Sequence, residues 1–225
     1  MRRNIFLESI SNPKIGDIAV IAEIKLKSPS TGRLGKRDDI VDRAKQYQQA
    51  SADAISVVTD KKYFGGDVKM VSIVKQTVDI PVLQKDFIID ASQIYEAKKN
   101  QADAILLIAK LYKNDQLNKY LDLCNVLSIA PVVEVYDEKY LGKIGNAKII
   151  GVNARNLQDF TVNIDKACTL IKRLSKQFIV IGFSGIKSRR EVELYKNAGA
   201  KAVLVGTSLM KSKNINKFIR NLKGI

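Results

Sequence analysis

The chain has 225 residues, 46% of them hydrophobic, with no histidine and a formal net charge of +15 from 38 Lys and Arg against 23 Asp and Glu. This length buries a sizeable core as one domain, and no apolar run approaches the ~20 residues of a membrane-spanning helix. The missing histidine excludes Ser-His-Asp hydrolysis, histidine-ligated metals and imidazole acid–base chemistry, so proton transfer falls to Glu, Asp, Lys, Cys or Tyr.

Met1-Arg-Arg3 is followed by Asn4 and Glu8, which leaves no apolar core for a secretory signal. Cys124 and Cys168 lie far apart in sequence, so two free thiols in a reducing, cytoplasmic compartment are expected rather than a disulfide or a zinc site. There is no Walker motif and no G-x-G-x-x-G after the first strand. The cations are scattered as Lys36-Arg37, Lys61-Lys62, Lys98-Lys99 and Arg189-Arg190, with few aromatics between them. That pattern fits solvated helix faces that steer an anionic substrate, and argues against a platform for nucleic acid.

In chain order, a short N-terminal extension of about 17 residues precedes eight β-then-α units. Strands are predicted at 17–25, 54–59, 81–85, 104–108, 131–135, 149–153, 178–182 and 202–205. Each is rich in Val, Ile and Leu with little alternation, as strands covered on both faces are. Helices are predicted at 38–49, 68–76, 92–100, 115–127, 137–144, 165–175, 188–198 and 214–222. Several open on Asp or Ser, as N-caps do. Connections are short and no linker divides the chain. Eight near-equal units predict a single-domain (β/α)₈ TIM barrel over residues 1–225, with a doubly wound open sheet as the competing architecture.

In such a barrel, chemistry belongs at the C-terminal ends of the strands. The first strand ends with Glu23 and Lys25, two residues apart and so on one face. The third ends on Lys85, followed by Asp86 and Phe87, and the fifth carries Glu134 within an apolar run. The sixth ends on Asn153 with Arg155 two residues later. The seventh is followed by Phe183-Ser184-Gly185-Ile186, and the eighth by Gly206-Thr207. Small residues after strands seven and eight suit a phosphate cradle. Each position has a plainer alternative: Lys85 snorkelling, Glu134 paired with a lysine for stability, Gly185 and Gly206 serving as turns. Their convergence on one end of the barrel favours chemistry.

These residues resemble the indole-3-glycerol-phosphate synthase family. The resemblance runs from about Ile18 to Leu222 and is carried by the Glu23-Ile-Lys-Leu-Lys-Ser-Pro-Ser30 segment, Tyr63-Phe-Gly-Gly66, Lys85-Asp-Phe87, Gly151-Val-Asn-Ala-Arg-Asn-Leu157, Ser184-Gly-Ile186 and Val205-Gly-Thr-Ser-Leu-Met210. It implies a carboxy-lyase of tryptophan biosynthesis that closes 1-(2-carboxyphenylamino)-1-deoxyribulose 5-phosphate into an indole, releasing CO₂ and water, with no metal or organic cofactor. By resemblance Lys85 is the general acid of ring closure, Lys25 positions substrate and assists proton transfer, Glu134 is the base of dehydration and Glu23 orients the reactants. The division of acid roles between the two lysines stays open. Asn153, Arg155 and Ser184 would line the site, Phe87 and Leu106 would pack on the anthranilate ring, and Ser28 would contact its carboxylate. Gly185, Gly206 and Thr207 would hold the phosphate. The implied partners are a small phosphorylated substrate and, among macromolecules, other tryptophan-pathway enzymes; no membrane is implied.

Three departures accompany the resemblance. Phe183 stands where the family usually has a rim glutamate, Asn156 where an aspartate is common, and the segment before the first strand is short, which predicts a reduced lid over the substrate. Two rival readings make different predictions. A phosphoribosylanthranilate isomerase would need a Cys/Asp pair at strand ends one and six, where this chain has Glu23 and Asn153. A catalytically weak binding or assembly subunit, which Phe183 makes conceivable, would bind phosphate ligands without turnover.

Overall fold

The computed structural model describes residues 4–113, 115–156 and 159–225; the basic start Met1-Arg-Arg3, Asn114, and Leu157-Gln158 of the motif after the sixth strand lie outside them. Eight parallel strands close into one barrel: β1 (Ala19–Ile24), β2 (Ala54–Val58), β3 (Val82–Lys85), β4 (Ala104–Ile108), β5 (Ala130–Val135), β6 (Ile149–Asn153), β7 (Ile179–Phe183) and β8 (Ala202–Val205). Closure is made by β1, which pairs with β2 through Ile21↔Ala54 and with β8 through Ala19↔Ala202. The barrel replaces the open-sheet alternative, in which β1 and β8 would not meet.

The period of two explains the run of apolar residues in each strand. Val20, Ala22 and Ile24 of β1 face outward and pack against the helices. Ala19 and Ile21 face inward, where they meet Ala54, Leu83, Leu106 and Val132 from other strands. Both faces are dry, so both sets are apolar below the rim, with the buried Ser56 of β2 and Gln84 of β3 as exceptions near the strand ends.

The outer layer holds α2 (Ile40–Gln49), α4 (Lys69–Lys75), α5 (Ala91–Lys99), α6 (Gln116–Leu127), α7 (Ile164–Leu174), α8 (Arg189–Asn197) and α10 (Ile215–Lys223). Capping fixes several of their starts. Asp90 and Gln93 form a capping box on α5, Ser188 and Glu191 another on α8, and Asn214 accepts from the Lys217 amide on α10. The helix expected at 137–144 is instead a six-residue 3₁₀ segment, Glu138–Lys143. Gly142 and the left-handed Gly145 bracket its end, and so short a run cannot propagate an α-helix. The periodicity did not foresee α1 (Ile5–Ser11), α3 (Lys61–Phe64), α9 (Thr207–Lys211) or the hairpin joining Lys27–Ser28 to Gly32–Arg33. Cys124 in α6 is buried and free, and burial pushes its thiol pKa up to about 12; Cys168 in α7 is also free.

Helix α1 lies at the end of the barrel away from the rim residues. Phe6 and Ile10 are fully buried in the cluster that fills the barrel interior. The Ser9 hydroxyl donates to the carbonyl of Asp53, the residue just before β2. The helix therefore plugs the N-terminal end of the barrel, opposite the end where the rim residues sit.

The same end carries a buried ion pair. The Lys223 ammonium, with no solvent exposure, contacts the Asp53 carboxylate, which also accepts from the Val20 amide at 2.7 Å. The pair ties the last helix to the starts of β1 and β2. Asp53→Ala would leave the ammonium buried without a counter-charge, and unfolding in denaturant should show a loss of about 3–5 kcal/mol. Replacing both partners together, Asp53→Asn with Lys223→Met, should cost less than Asp53→Ala alone.

Candidate active site

Because side chains on a strand alternate, the inward positions at the C-terminal ends of the eight strands share one space. Glu23, Lys85, Asn153 and Phe183 border a cleft of about 1150 Å³ there, with Lys25 just past the end of β1.

At the centre, Glu23 bridges two ammoniums. Lys25 Nζ lies 2.8 Å from Oε1, and Lys85 Nζ lies 3.7 Å from Oε2. Burial, with the residue only 3% exposed, would raise the carboxyl pKa, but Lys25 and then Lys85 outweigh it and hold Glu23 below its usual range. Gly206 is the residue that lets this pair exist: a Cβ there would sit 2.1 Å from Glu23 Oε1 and 3.0 Å from Lys25 Nζ. The Tyr47 hydroxyl donates to the Glu23 carbonyl at 3.3 Å and fixes the strand end from behind.

Glu134 has the opposite environment. It is 2% exposed, and burial pushes its carboxyl above the usual range despite the attraction of Lys85 and a hydrogen bond from Asn153. The Asn153 amide donates to Glu134 Oε1 at 3.1 Å, while its own carbonyl oxygen accepts from the Arg155 backbone N–H at 3.0 Å. That second bond fixes the amide orientation, so the NH₂ must face the carboxylate. No ion pair joins Glu134 to a lysine among the described residues, contrary to the plainer sequence alternative. Its carboxylate sits behind Asn153 rather than bordering the cleft.

Phe87 forms an aromatic wall with two residues that the sequence reading left without a role. Tyr63 meets it edge-on at 6.3 Å between centroids and Phe64 is tilted against it at 6.5 Å. Lys85 Nζ lies 5.9 Å from the Phe64 ring centre. Asp60 sets this turn by accepting from the amides of Tyr63 and Phe64. Asp86 was likewise overlooked: it accepts from the Phe87 amide at 2.7 Å and from the Thr59 hydroxyl at 2.5 Å, locking the loop after β3 to the end of β2. An Asp next to a catalytic candidate, with a Thr one strand over, was the available signal.

Leu106 does not reach the cleft. It is 1% exposed in the packed interior at the level of Val132, one layer below Ile108 and Glu134. A residue two before the strand end faces inward but lies too deep. Ser28 is at the mouth, where its hydroxyl is 2.5 Å from that of Thr31 within the hairpin.

Small residues form the other wall, with Ser184, Gly185, Gly206 and Thr207 all bordering the cleft. Ser184 and Gly185 both have positive φ, 68° and 77°. The Tyr195 hydroxyl steadies this turn by donating to the carbonyls of Phe183 and Ser184. A Cβ on Gly185 would come within 3.0 Å of Ile164 and Val162, so only glycine fits. Lys187, Lys211 and Arg155 stand around the same wall. Arg155 donates to the Phe160 carbonyl at 2.9 Å, closing the loop after β6.

Phe183 departs from its expected place. The sequence places it as the first rim residue after a strand ending at 182. Instead it is the last residue of β7, paired with Asn153 and Leu204, and its ring is turned into the barrel at 1% exposure.

The opposite shifts of the two carboxyls predict opposite effects on stability. Glu134 in the fold keeps a proton that the unfolded chain releases at an ordinary carboxylate pKa, so its contribution to stability falls as pH rises through that window. Glu134→Gln should therefore be as stable as the parent or more so at neutral pH, measured by thermal unfolding. Glu23 favours the fold when ionised, a contribution present at neutral pH and lost on acidification through its folded pKa. Glu23→Gln should lower the melting temperature at neutral pH by leaving two ammoniums face to face.

A family model described as indole-3-glycerol phosphate synthase matches residues 2–222. A curated protein of that name from Acetivibrio thermocellus is 38% identical over 212 residues, 93% of this chain and 82% of the relative. Another from Priestia megaterium is 40% identical over 222 residues, 97% of this chain and 87% of the relative. Among solved structures, 3-hexulose-6-phosphate synthase superposes with a TM-score of 0.70 at 12% identity, covering 92% of this chain and 99% of that one; at that identity the likeness shows the fold alone.

Proposed function

The chain belongs to the indole-3-glycerol phosphate synthase family, and from that premise we propose how its own residues perform the reaction. The activity is that of a carboxy-lyase of tryptophan biosynthesis acting on a small phosphorylated substrate. The observation that carries the assignment of roles is the single carboxylate of Glu23 lying between two ammoniums, with a second, differently tuned carboxylate at Glu134.

The substrate's anthranilate ring packs on Phe87 with Phe64 beside it, its carboxylate toward Ser28, and its phosphate lies against Gly185, Gly206 and Thr207 with Lys187 and Lys211 nearby. The anilino ring carbon attacks the sugar C2 carbonyl. Negative charge develops on that oxygen, and Lys85 supplies both electrostatic stabilisation and the proton. Lys25, paired to the same carboxylate, holds the substrate and assists. Carbon dioxide leaves and the ring is restored. Loss of the C2 hydroxyl as water then requires a base, which we assign to Glu134, acting past the Asn153 amide directly or through one water. Arg155 and Ser184 contact the substrate's sugar-phosphate portion. Other enzymes of the pathway as partners, and the cytoplasm as the location, belong to the same proposal.

The isomerase alternative required a cysteine at a strand end. Cys124 and Cys168 lie in α6 and α7, and the family match leaves that reading without support. The binding-subunit alternative is separated by turnover. Indole fluorescence should appear when the chain meets 1-(2-carboxyphenylamino)-1-deoxyribulose 5-phosphate. Lys85→Ala should reduce kcat by at least about 10²–10⁴-fold with an unchanged circular dichroism spectrum. Near-normal turnover in that variant would remove Lys85 from its role, and ligand binding without any turnover by the parent would support the subunit reading.

A further inference from the structure

Phe183 and Gly151 fit each other inside the barrel. A Cβ built on Gly151 would lie 2.5 Å from Cζ and 2.7 Å from Cε2 of the Phe183 ring, so the ring occupies the space that a side chain at 151 would fill. Gly151 is the direct register partner of Glu134 on β5, and Phe183 is the register partner of Asn153. The ring thus reaches from β7 over β6 at Gly151, the residue paired with Glu134 on β5. All three side chains are nearly closed to solvent, at 1% for Phe183, 2% for Glu134 and 8% for Asn153. On the other side, the register partner of Glu134 is Ile108, also apolar.

We propose that Phe183 is a positioning residue whose ring, seated over Gly151, closes the flank of Glu134 to water and leaves the Asn153 amide as the group that orients it. The catalytic meaning of this rests on the assignment of Glu134 as the dehydration base; the exclusion of water does not. A hydrated carboxylate at this position would be a weaker base, because water stabilises its ionised form. With an apolar ring on one side and Ile108 on the other, the groups left to act on Glu134 are the Asn153 amide, the Lys85 ammonium and the Glu23 carboxylate with its partner Lys25. Burial outweighs the two favourable partners, and the carboxyl is held above its ordinary range. Phe183 therefore preserves a basic carboxylate without adding another charge to a cleft that already holds Glu23.

Two substitutions of similar length separate polarity from volume. Phe183→Gln brings a hydrogen-bonding group to the flank of Glu134, whereas Phe183→Met refills the space with apolar atoms. Phe183→Ala, which opens a polar-lined space large enough for water, backs up the Gln variant if that one folds poorly. The primary readout is the ¹³C titration of the Glu134 side-chain carboxyl in the free protein, assigned by its loss in Glu134→Gln. The secondary readout is the acid limb of the kcat profile for indole formation. In Phe183→Gln or Phe183→Ala both should move down by about one pH unit, while Phe183→Met stays with the parent. Equal shifts in the Met and Gln variants, or no shift in folded Gln and Ala variants, would overturn the inference. A shifted titration in a chain that never turns over substrate would instead uphold it and count against the catalytic assignment.

Discussion

The pairing of β1 with both β2 and β8 is the constraint on which the site depends. Glu23, Lys85, Glu134 and Asn153 are separated by up to 130 residues of chain, and nothing local brings them together. Once the eight strands close, the period of two turns each inward position at a strand end toward the same axis. Below that level the interior is dry and packed by Ile21, Leu83, Leu106 and Val132, plugged from beneath by Phe6 and Ile10 of α1. Charges are therefore tolerated only where partners can reach them, in the top layer and, at the lower end, in the Asp53–Lys223 pair. Glu23 shows how narrow that tolerance is: it stays ionised because two ammoniums approach its two oxygens, and because Gly206 has no side chain to displace them.

The two carboxyls are tuned in opposite directions by their neighbours rather than by their depth, since both are buried. Glu23 is flanked by cations and held low. Glu134 is flanked by an amide and by apolar groups, and is held high. Pairs whose environments push their pKa values apart mark separate roles in acid–base catalysis. Here the carboxylate held low fixes two proton donors, while the one held high is, in its ionised form, the stronger base and so the one suited to take a proton. With no histidine in the chain, this division supplies both functions from Lys and Glu alone.

Most of the fold was legible because buried parallel strands leave a strong mark. All eight runs of Val, Ile and Leu became barrel strands, with no end shifted by more than two residues. The misses have physical causes. Residues 137–144 look amphipathic, yet the glycines at 142 and 145 restrict them to 3₁₀ turns. Helix α1 has too few residues to show a period, and its role as a plug follows from the barrel's open lower end, which only the closed structure defines. In the site, residues whose charge was out of place on an apolar strand were found: Glu23, Lys85 and Glu134. Residues that act by supporting others were not. Asp86, Phe64 and Tyr47 look ordinary in sequence, and their roles come from contacts between different strands and loops. Leu106 and Phe183 depart from the sequence reading because depth along a strand decides exposure: Leu106 faces inward but two residues below the strand end, and Phe183 ends β7 with its ring turned into the barrel.

The central claim about the site is that Lys85 faces the substrate's C2 oxygen while the phosphate rests on the glycine wall. A crystal structure of the chain with the substrate's C2 ketone reduced to an alcohol tests it directly. In it the C2 oxygen should lie within hydrogen-bonding distance of Lys85 Nζ, the aromatic ring against Phe87, and the phosphate at Gly185 and Gly206–Thr207. A ligand bound in the reverse sense, with its phosphate beside Phe87 and its C2 oxygen beyond the reach of Lys85, would contradict it.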